Sequence, residues 1–328
     1  MIRIPRRRPR LVKLATLLVI AAFATAPLGA QTAETLILFN PAVPETPESI
    51  VFDRHDNAYI TLALTGEIRK ISPDGSQRSL AFLPIGAPCI GRPTVALGLA
   101  LDLLDRLYVA VAACDPANQG LWRVDRDSGE IELLHNSPSG TVWNGIDVHG
   151  GWVYAADTFG GQVWRMRVDG GGSPEVWSDD PLLALPPGAI FPGPNGPKFF
   201  RGEIYVAVSA TGNIVALPLR PHGGAGPGRV HATLPVPQGC DEFAFDVHGS
   251  IYCTTDPFNT VVRLDRDGTT EILLDASDLL DGPTSVAFGR RGTNRKNLYI
   301  TNAAFPGFST TFRPSLMRLR LQVPGAPL

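Results

Sequence analysis

The sequence predicts an all-β protein: a six-bladed β-propeller, four antiparallel strands per blade, with the ring closed by an N-terminal strand. Three observations carry this expectation. A hairpin-like unit is written six times, a second pair of alternating strands follows the copies, and no segment has a helical hydrophobic period. With 34 glycines and 30 prolines, the composition suits many short strands joined by turns.

The clearest copy covers residues 238–256, QGCDEFAFDVHGSIYCTTD. Its apolar run Phe243-Ala244-Phe245, the turn at His248-Gly249 and the second run Ile251-Tyr252-Cys253 read as a hairpin. Equivalent units are PESIVFDRHDNAYIT from Pro47, ALGLALDLLDRLYVA from Ala96, WNGIDVHGGWVYAAD from Trp143, PNGPKFFRGEIYVAV from Pro194 and PTSVAFGRRGTNRKNLYIT from Pro283. Their opening positions are Glu48, Leu97, Asn144, Asn195, Asp241 and Thr284, spaced by 49, 47, 51, 46 and 43 residues. A period of roughly 47 falls among propeller repeats. Second halves such as GQVWRMRVDGG (161–171) and TVVRLDRDGTTEILL (260–274) alternate around an Asp/Gly turn. The sixth unit stops after its third strand, at 315–323, and the run TLILF at 35–39 is expected to supply its outer strand.

In chain order, residues 1–30 have a basic start, an apolar run at 14–26 and small residues before Gln31, the pattern of a secretory signal peptide. That run is shorter than the roughly 20 residues a spanning helix needs. A single propeller domain is then expected over 31–328, secreted or periplasmic and monomeric. The chain has 29 basic and 31 acidic residues; six basic and no acidic ones lie in the first thirty, leaving 23 against 31. This acidic body does not fit nucleic acid or an anionic membrane as partner. The apolar run 95–113 carries Asp102, Asp105 and Arg106 at its centre and reads as two buried strands with their turn. Irregular segments are expected at 178–194, walling the site near Asn195, and at 218–228.

Four cysteines fit an oxidising compartment. Cys89 precedes the first strand of blade two and Cys114 follows the second, so a Cys89–Cys114 bridge is favoured. Cys240 at a strand start and Cys253 in mid-strand are offset, which argues against their pairing with each other.

The innermost strand of a propeller blade begins at one mouth of the central channel, so its opening residue points at the axis. Glu48, Asn144, Asn195 and Asp241 therefore converge, and all four offer oxygen. Hard oxygen donors with two balancing carboxylates suit Ca2+, with Zn2+ or Mn2+ as other candidates. Singly, an Asn-Gly pair is more often a turn, and a lone Asp or Glu is solvated; recurrence at equivalent positions is what favours the metal ring. The Asp-rich segments 125–129 and 265–268 read as hairpin turns. No histidine is placed as a general base, and no Gly-x-Ser-x-Gly elbow occurs. Trp143, Phe159, Phe258 and Phe305 come from loops expected on the ring's face and would form an apolar substrate rim.

The blade openings, the unit CDEFAFDVHGSIYCTTD and GPTSVAFG (282–289) resemble the senescence-marker-protein/gluconolactonase (regucalcin) family, itself related to diisopropyl-fluorophosphatase. The similarity spans about 34–322. It implies an axial divalent metal, usually Ca2+, and hydrolysis of lactones or related esters. By position it assigns Glu48, Asn144 and Asp241 as metal ligands, Asn195 as the further Asn of the fluorophosphatase branch, and Asp241 as base or nucleophile. Phe52 stands where that family often has tryptophan, and Glu242 where glycine usually follows the aspartate. The alternative reading is a non-catalytic binding or scaffold propeller whose Ca2+ only ties the blades together.

Overall fold

A computed structural model describes residues 33–89, 94–234, 239–309 and 311–327. The expected leader, 1–30, lies outside the described residues. Six four-stranded antiparallel sheets account for all 24 strands among the described residues. Blade one is built from Pro47–Phe52, Ala58–Leu62, Glu67–Ile71 and Gln77–Phe82, each strand paired with the next. The inner strands of blades two to six are Val95–Leu101, Trp143–His149, Pro194–Phe200, Phe243–Phe245 and Pro283–Phe288. Blade six is completed from the other end of the chain. Its third strand, Ser315–Arg320, pairs antiparallel with Glu34–Leu38, so the first strand is the last blade's outer edge.

Alternation decides which faces are buried. In Ala58–Leu62 and Leu107–Ala112 both faces are covered, as neighbouring blades require of a middle strand, whereas the outer Gln77–Phe82 is half exposed. The core is correspondingly divided into six apolar clusters, one in each wedge between blades. Residues such as Leu99, Leu107, Ile146 and Phe243 are fully enclosed there. Each such side chain contributes about 1.5–3 kcal/mol by leaving water.

A second repeat reinforces the blades. All six tyrosines of the chain, Tyr59, Tyr108, Tyr154, Tyr205, Tyr252 and Tyr299, lie on second strands, one per blade. In blades one, two and five the phenol donates to the aspartate that caps the inner turn, Asp53, Asp102 or Asp246, six residues earlier. The same aspartates accept main-chain N–H groups of their own turns. Turn and strand are thereby held as one unit.

Helix is confined, among the described residues, to three short 3-10 turns. One, Pro181–Leu183, sits in the segment leading to Pro194. Its capping residue Asp180 also accepts from Gly228 N, 2.7 Å away, tying the two long irregular segments together. No helix among the described residues is long and apolar enough to cross a membrane.

Cys89 is joined to Cys114, with Cα atoms 6.0 Å apart. Cys240 is joined to Cys253, Cα to Cα 5.7 Å, which corrects the expectation that their offset keeps them apart. The reason is local. The inner strand of blade five starts only at Phe243, which pairs directly with Cys253. Residues before it bend out of the ladder, and that bend carries Cys240 back over Cys253.

Candidate metal centre

The inner strands share an irregularity at the position the sequence singles out. Their registers jump between Pro47 and Ile50, Ala96 and Leu99, Trp143 and Ile146, and Pro194 and Pro197, so two residues face one on the second strand. Blade six shifts between Pro283 and Ser285. In blade five Asp241 N donates to Thr254 O and Thr254 N donates to Glu242 O, at 2.9 and 3.1 Å, the same two-against-one arrangement. A bulge of this kind turns a side chain out of the pleat. Glu48, Leu97, Asn144, Asn195, Asp241 and Thr284 therefore stand at bulges rather than at strand starts.

The residue following each of these forms the next layer down the channel: Ser49, Gly98, Gly145, Gly196, Glu242 and Ser285. Blades two to four bring backbone against backbone. A β-carbon on Gly98 would lie 2.6 Å from Asn144 O, and one on Gly145 would lie 2.6 Å from Gly196 Cα. Blades five, six and one use hydroxyls instead. Thr61 Oγ1 donates to Leu97 O and Thr254 Oγ1 to Thr284 O, each at 2.9 Å, carrying the link from one blade to the next.

Within this frame Asn195 Nδ2 donates to Oδ1 of Asp241. Asn195 is only 4% exposed, and its Oδ1 is buried with no hydrogen-bond partner. Oε2 of the half-buried Glu48 is likewise enclosed and unpaired. Burial, followed by the negative charges of Glu242 and Asp256, pushes the Glu48 carboxyl well above the usual carboxylate range. Asp241 is pushed up in the same way, by burial and then by Glu48, Asp256 and Glu242, with the Asn195 hydrogen bond opposing. The Glu48 charge thus reaches Asp241, four blade repeats further along the chain. None of the ion pairs among the described residues brings an arginine or lysine to Glu48, Asp241, Glu242 or Asp256.

Glu48, Asn195 and Asp241 fit a hard divalent cation: two carboxylates, a carboxamide, buried oxygens lacking donors, and uncompensated negative charge. No group of three or more His, Cys, Asp or Glu side chains among the described residues is arranged to hold an ion. Asn144 is half-buried at its bulge in blade three.

Two acids escaped the sequence reading. Glu242 lies at the second layer, its Oε2 accepting from Ser49 Oγ at 3.2 Å and from Ser285 Oγ. Asp256 closes the second strand of blade five, with Oδ1 buried and unpaired; burial and the charge of Asp281 push its carboxyl up to about 6. Glu242 was visible as a departure at a position of small residues. Asp256, two residues past the Thr254 that faces the bulge, carried no such mark.

The aromatic rim needs one correction. Trp143 is 2% exposed, packed with Trp164 in the wedge between blades two and three, immediately before the register shift of its strand. Phe159 is 55% exposed, Phe258 packs on Phe191 with ring centroids 5.6 Å apart, and Phe305 is half-buried against the Trp143 cluster. Phe191 belongs to the segment expected to wall the site, so that segment does reach blade five's loop. The Asp125 and Asp267 segments are turns, their carboxylates accepting local N–H groups. The other mouth of the channel holds an apolar cavity of about 440 Å3, lined by Ile50, Phe52, Leu99, Phe245 and Phe288 and edged by Lys198 and Arg290.

No protein-family model and no curated protein sequence matches this chain. Solved structures do. A gluconolactonase from Xanthomonas campestris is 18% identical, with a TM-score of 0.65 over 91% of this chain and 93% of its own. A calcium-binding protein, regucalcin, from Agrobacterium tumefaciens is 17% identical, with a TM-score of 0.65 over 90% and 96%. A putative oxidoreductase (glucose dehydrogenase) from Thermus thermophilus is also 17% identical, with a TM-score of 0.61 over 88% and 99%. At such identities the likeness establishes the six-bladed fold, and the gluconolactonase and regucalcin neighbours agree with the resemblance carried by the blade openings.

Proposed function

We propose that this chain is an exported, divalent-cation-dependent hydrolase of lactones or related esters. One observation carries the reading: Glu48, Asn195 and Asp241, from three different blades, share a buried, negatively charged centre containing oxygens without donors. A bound Ca2+ would supply Lewis-acid polarisation of an ester carbonyl. Glu48, Asn144, Asn195 and Asp241 would hold it.

The chain's own residues do the rest. Asn195 fixes the Asp241 carboxylate through one oxygen, leaving Oδ2 to take a proton from the water that attacks the carbonyl carbon, or to attack that carbon itself. In either case the ester C–O bond breaks as the alcohol oxygen leaves; in the second, water then opens the mixed anhydride. The Cys240–Cys253 bridge pins the backbone beside that carboxylate. Phe159, Phe258, Phe305 and the Phe191 wall offer apolar contact to the substrate's non-reacting part. Two disulfides suit an exported, oxidised protein, and the acidic body suits a monomer acting on small neutral substrates.

The test is a panel of lactones, aryl esters and phosphotriesters, with Ca2+, Mn2+ or Zn2+ added. Hydrolysis of a lactone or ester should be lost on chelation and regained with the cation, and Asp241→Asn should lower turnover at least about a hundredfold. Chelation that lowers only the melting temperature, with no member of the panel turned over, would leave the ion as a tie between blades and refute the enzyme.

A further inference from the structure

Glu242 occupies the channel one layer beyond the ring. The hydroxyls that bind its Oε2 belong to Ser49 of blade one and Ser285 of blade six, while Glu242 itself comes from blade five. Blade six stands between the outer two, so the carboxylate reaches over the axis instead of lying along its own blade. The room for it comes from the opposite half of the ring, where the same layer is Gly98, Gly145 and Gly196. Gly196 packs on the glutamate: a β-carbon there would lie 3.1 Å from Glu242 Cγ. Beneath this layer the next residues, Ile50, Leu99, Phe243 and Val286, already line the apolar cavity of the far mouth. Glu242 is therefore a buried partition between that cavity and the ring, 5% exposed. No arginine or lysine among the described residues pairs with it.

A lone buried carboxylate is costly unless an opposite charge stands near. Two serine donors offset part of that cost, and the unpaired Asn195 Oδ1 and Glu48 Oε2 mark where the opposite charge belongs. We propose that Glu242 is a positioning residue for the axial cation: it stays outside the ligand set, floors the site with negative charge, and sets the strength of divalent-ion binding. Ser49 and Ser285 aim it. The inference rests on the axial-cation reading above and adds to it a residue of this chain that the resemblance does not assign.

The experiment compares wild type, Glu242→Gln, Ser285→Ala and Asp241→Asn by calorimetric titration with calcium chloride and by thermal melting with and without excess Ca2+. Glu242→Gln should bind Ca2+ about 10- to 100-fold more weakly, the range found for residues that support a metal's ligands. Its metal-free form should melt above metal-free wild type, because a buried negative charge has gone, while its Ca2+-saturated form should melt below saturated wild type. A purely structural role would shift both forms the same way. Ser285→Ala keeps the charge and serves if Glu242→Gln does not fold; its Ca2+ affinity should fall severalfold. Affinity within twofold of wild type in both variants, or same-sign melting shifts, overturns the proposal. If Asp241→Asn abolishes binding while Glu242→Gln leaves it intact, only the role of Glu242 falls; if wild type binds no divalent cation, the axial reading falls with it.

Discussion

Thr301 Oγ1 donates to the main-chain carbonyl of Glu48 across 3.0 Å, a hydrogen bond between residues 253 positions apart. Thr301 lies on the second strand of blade six and also accepts from Ser285 N. One hydroxyl therefore holds the bulge of its own blade and places the bulge of the next. The backbone that carries Glu48 is held by a residue on another blade. Replacing this hydroxyl with a methyl keeps the shape and strands Ser285 N, while Glu48 O keeps its bond from Thr284 Oγ1 at 2.7 Å. Thr301→Val should lower stability by about 1–3 kcal/mol in urea unfolding, and Ca2+ affinity should drop with it. A variant as stable as wild type would show that the link between blades is dispensable.

Gly145 tests the other half of the ring. A methyl there meets Gly196 Cα and Asn195 O at 2.6 and 2.7 Å, and both are backbone, unable to rotate away. Gly145→Ala should cost about 3 kcal/mol. It should also weaken ion binding by displacing Asn195. Unfolding curves beside calcium titrations would measure both effects.

The metal-free protein should lose stability as pH rises. Glu48 and Asp241 are raised above ordinary carboxylates, and Asp256 stands at about 6. The native state thus holds protons the unfolded chain has released, so its advantage is full below the unfolded pKa near 4 and vanishes as pH passes the native values. Asp256 alone accounts for on the order of 3 kcal/mol across that window. Chelated protein should melt higher at pH 5 than at pH 8. Bound Ca2+ favours the ionised carboxylates and should reverse the trend. A chelated protein that melts higher at pH 8 would contradict the buried-acid account.

Joining residues 240 and 253 closes a small loop next to Asp241. Converting both cysteines to alanine should cost about 3 kcal/mol through the freed unfolded chain. Calcium binding should weaken as well, since the backbone before Asp241 is no longer anchored. Differential scanning calorimetry and calcium titration would read the two consequences separately.

Much of this was legible because a blade repeats. Spacing alone located Glu48, Asn144, Asn195 and Asp241 at equivalent positions, and the unfinished sixth unit pointed to the strand at the start of the chain. What spacing does not encode is which way a bulge throws each side chain. Trp143 and Asn144 are neighbours, yet Trp143 ends buried in a core wedge and Asn144 stands half-buried at the bulge. Cys240 misled for the same reason: its partner follows from the bend before Phe243, not from an alternating count. Glu242 departs from a layer of glycine and serine, but its meaning needs Ser49 and Ser285, 193 and 43 positions away, to be seen on the same oxygen.

The pairing of Glu34–Leu38 with Ser315–Arg320 has a consequence for how the molecule comes into being. Until the final strand has left the ribosome, the nascent chain is an open arc whose earliest segment has nothing to join. A premature stop anywhere before residue 315 therefore leaves two unsealed rims instead of a smaller version of the same protein.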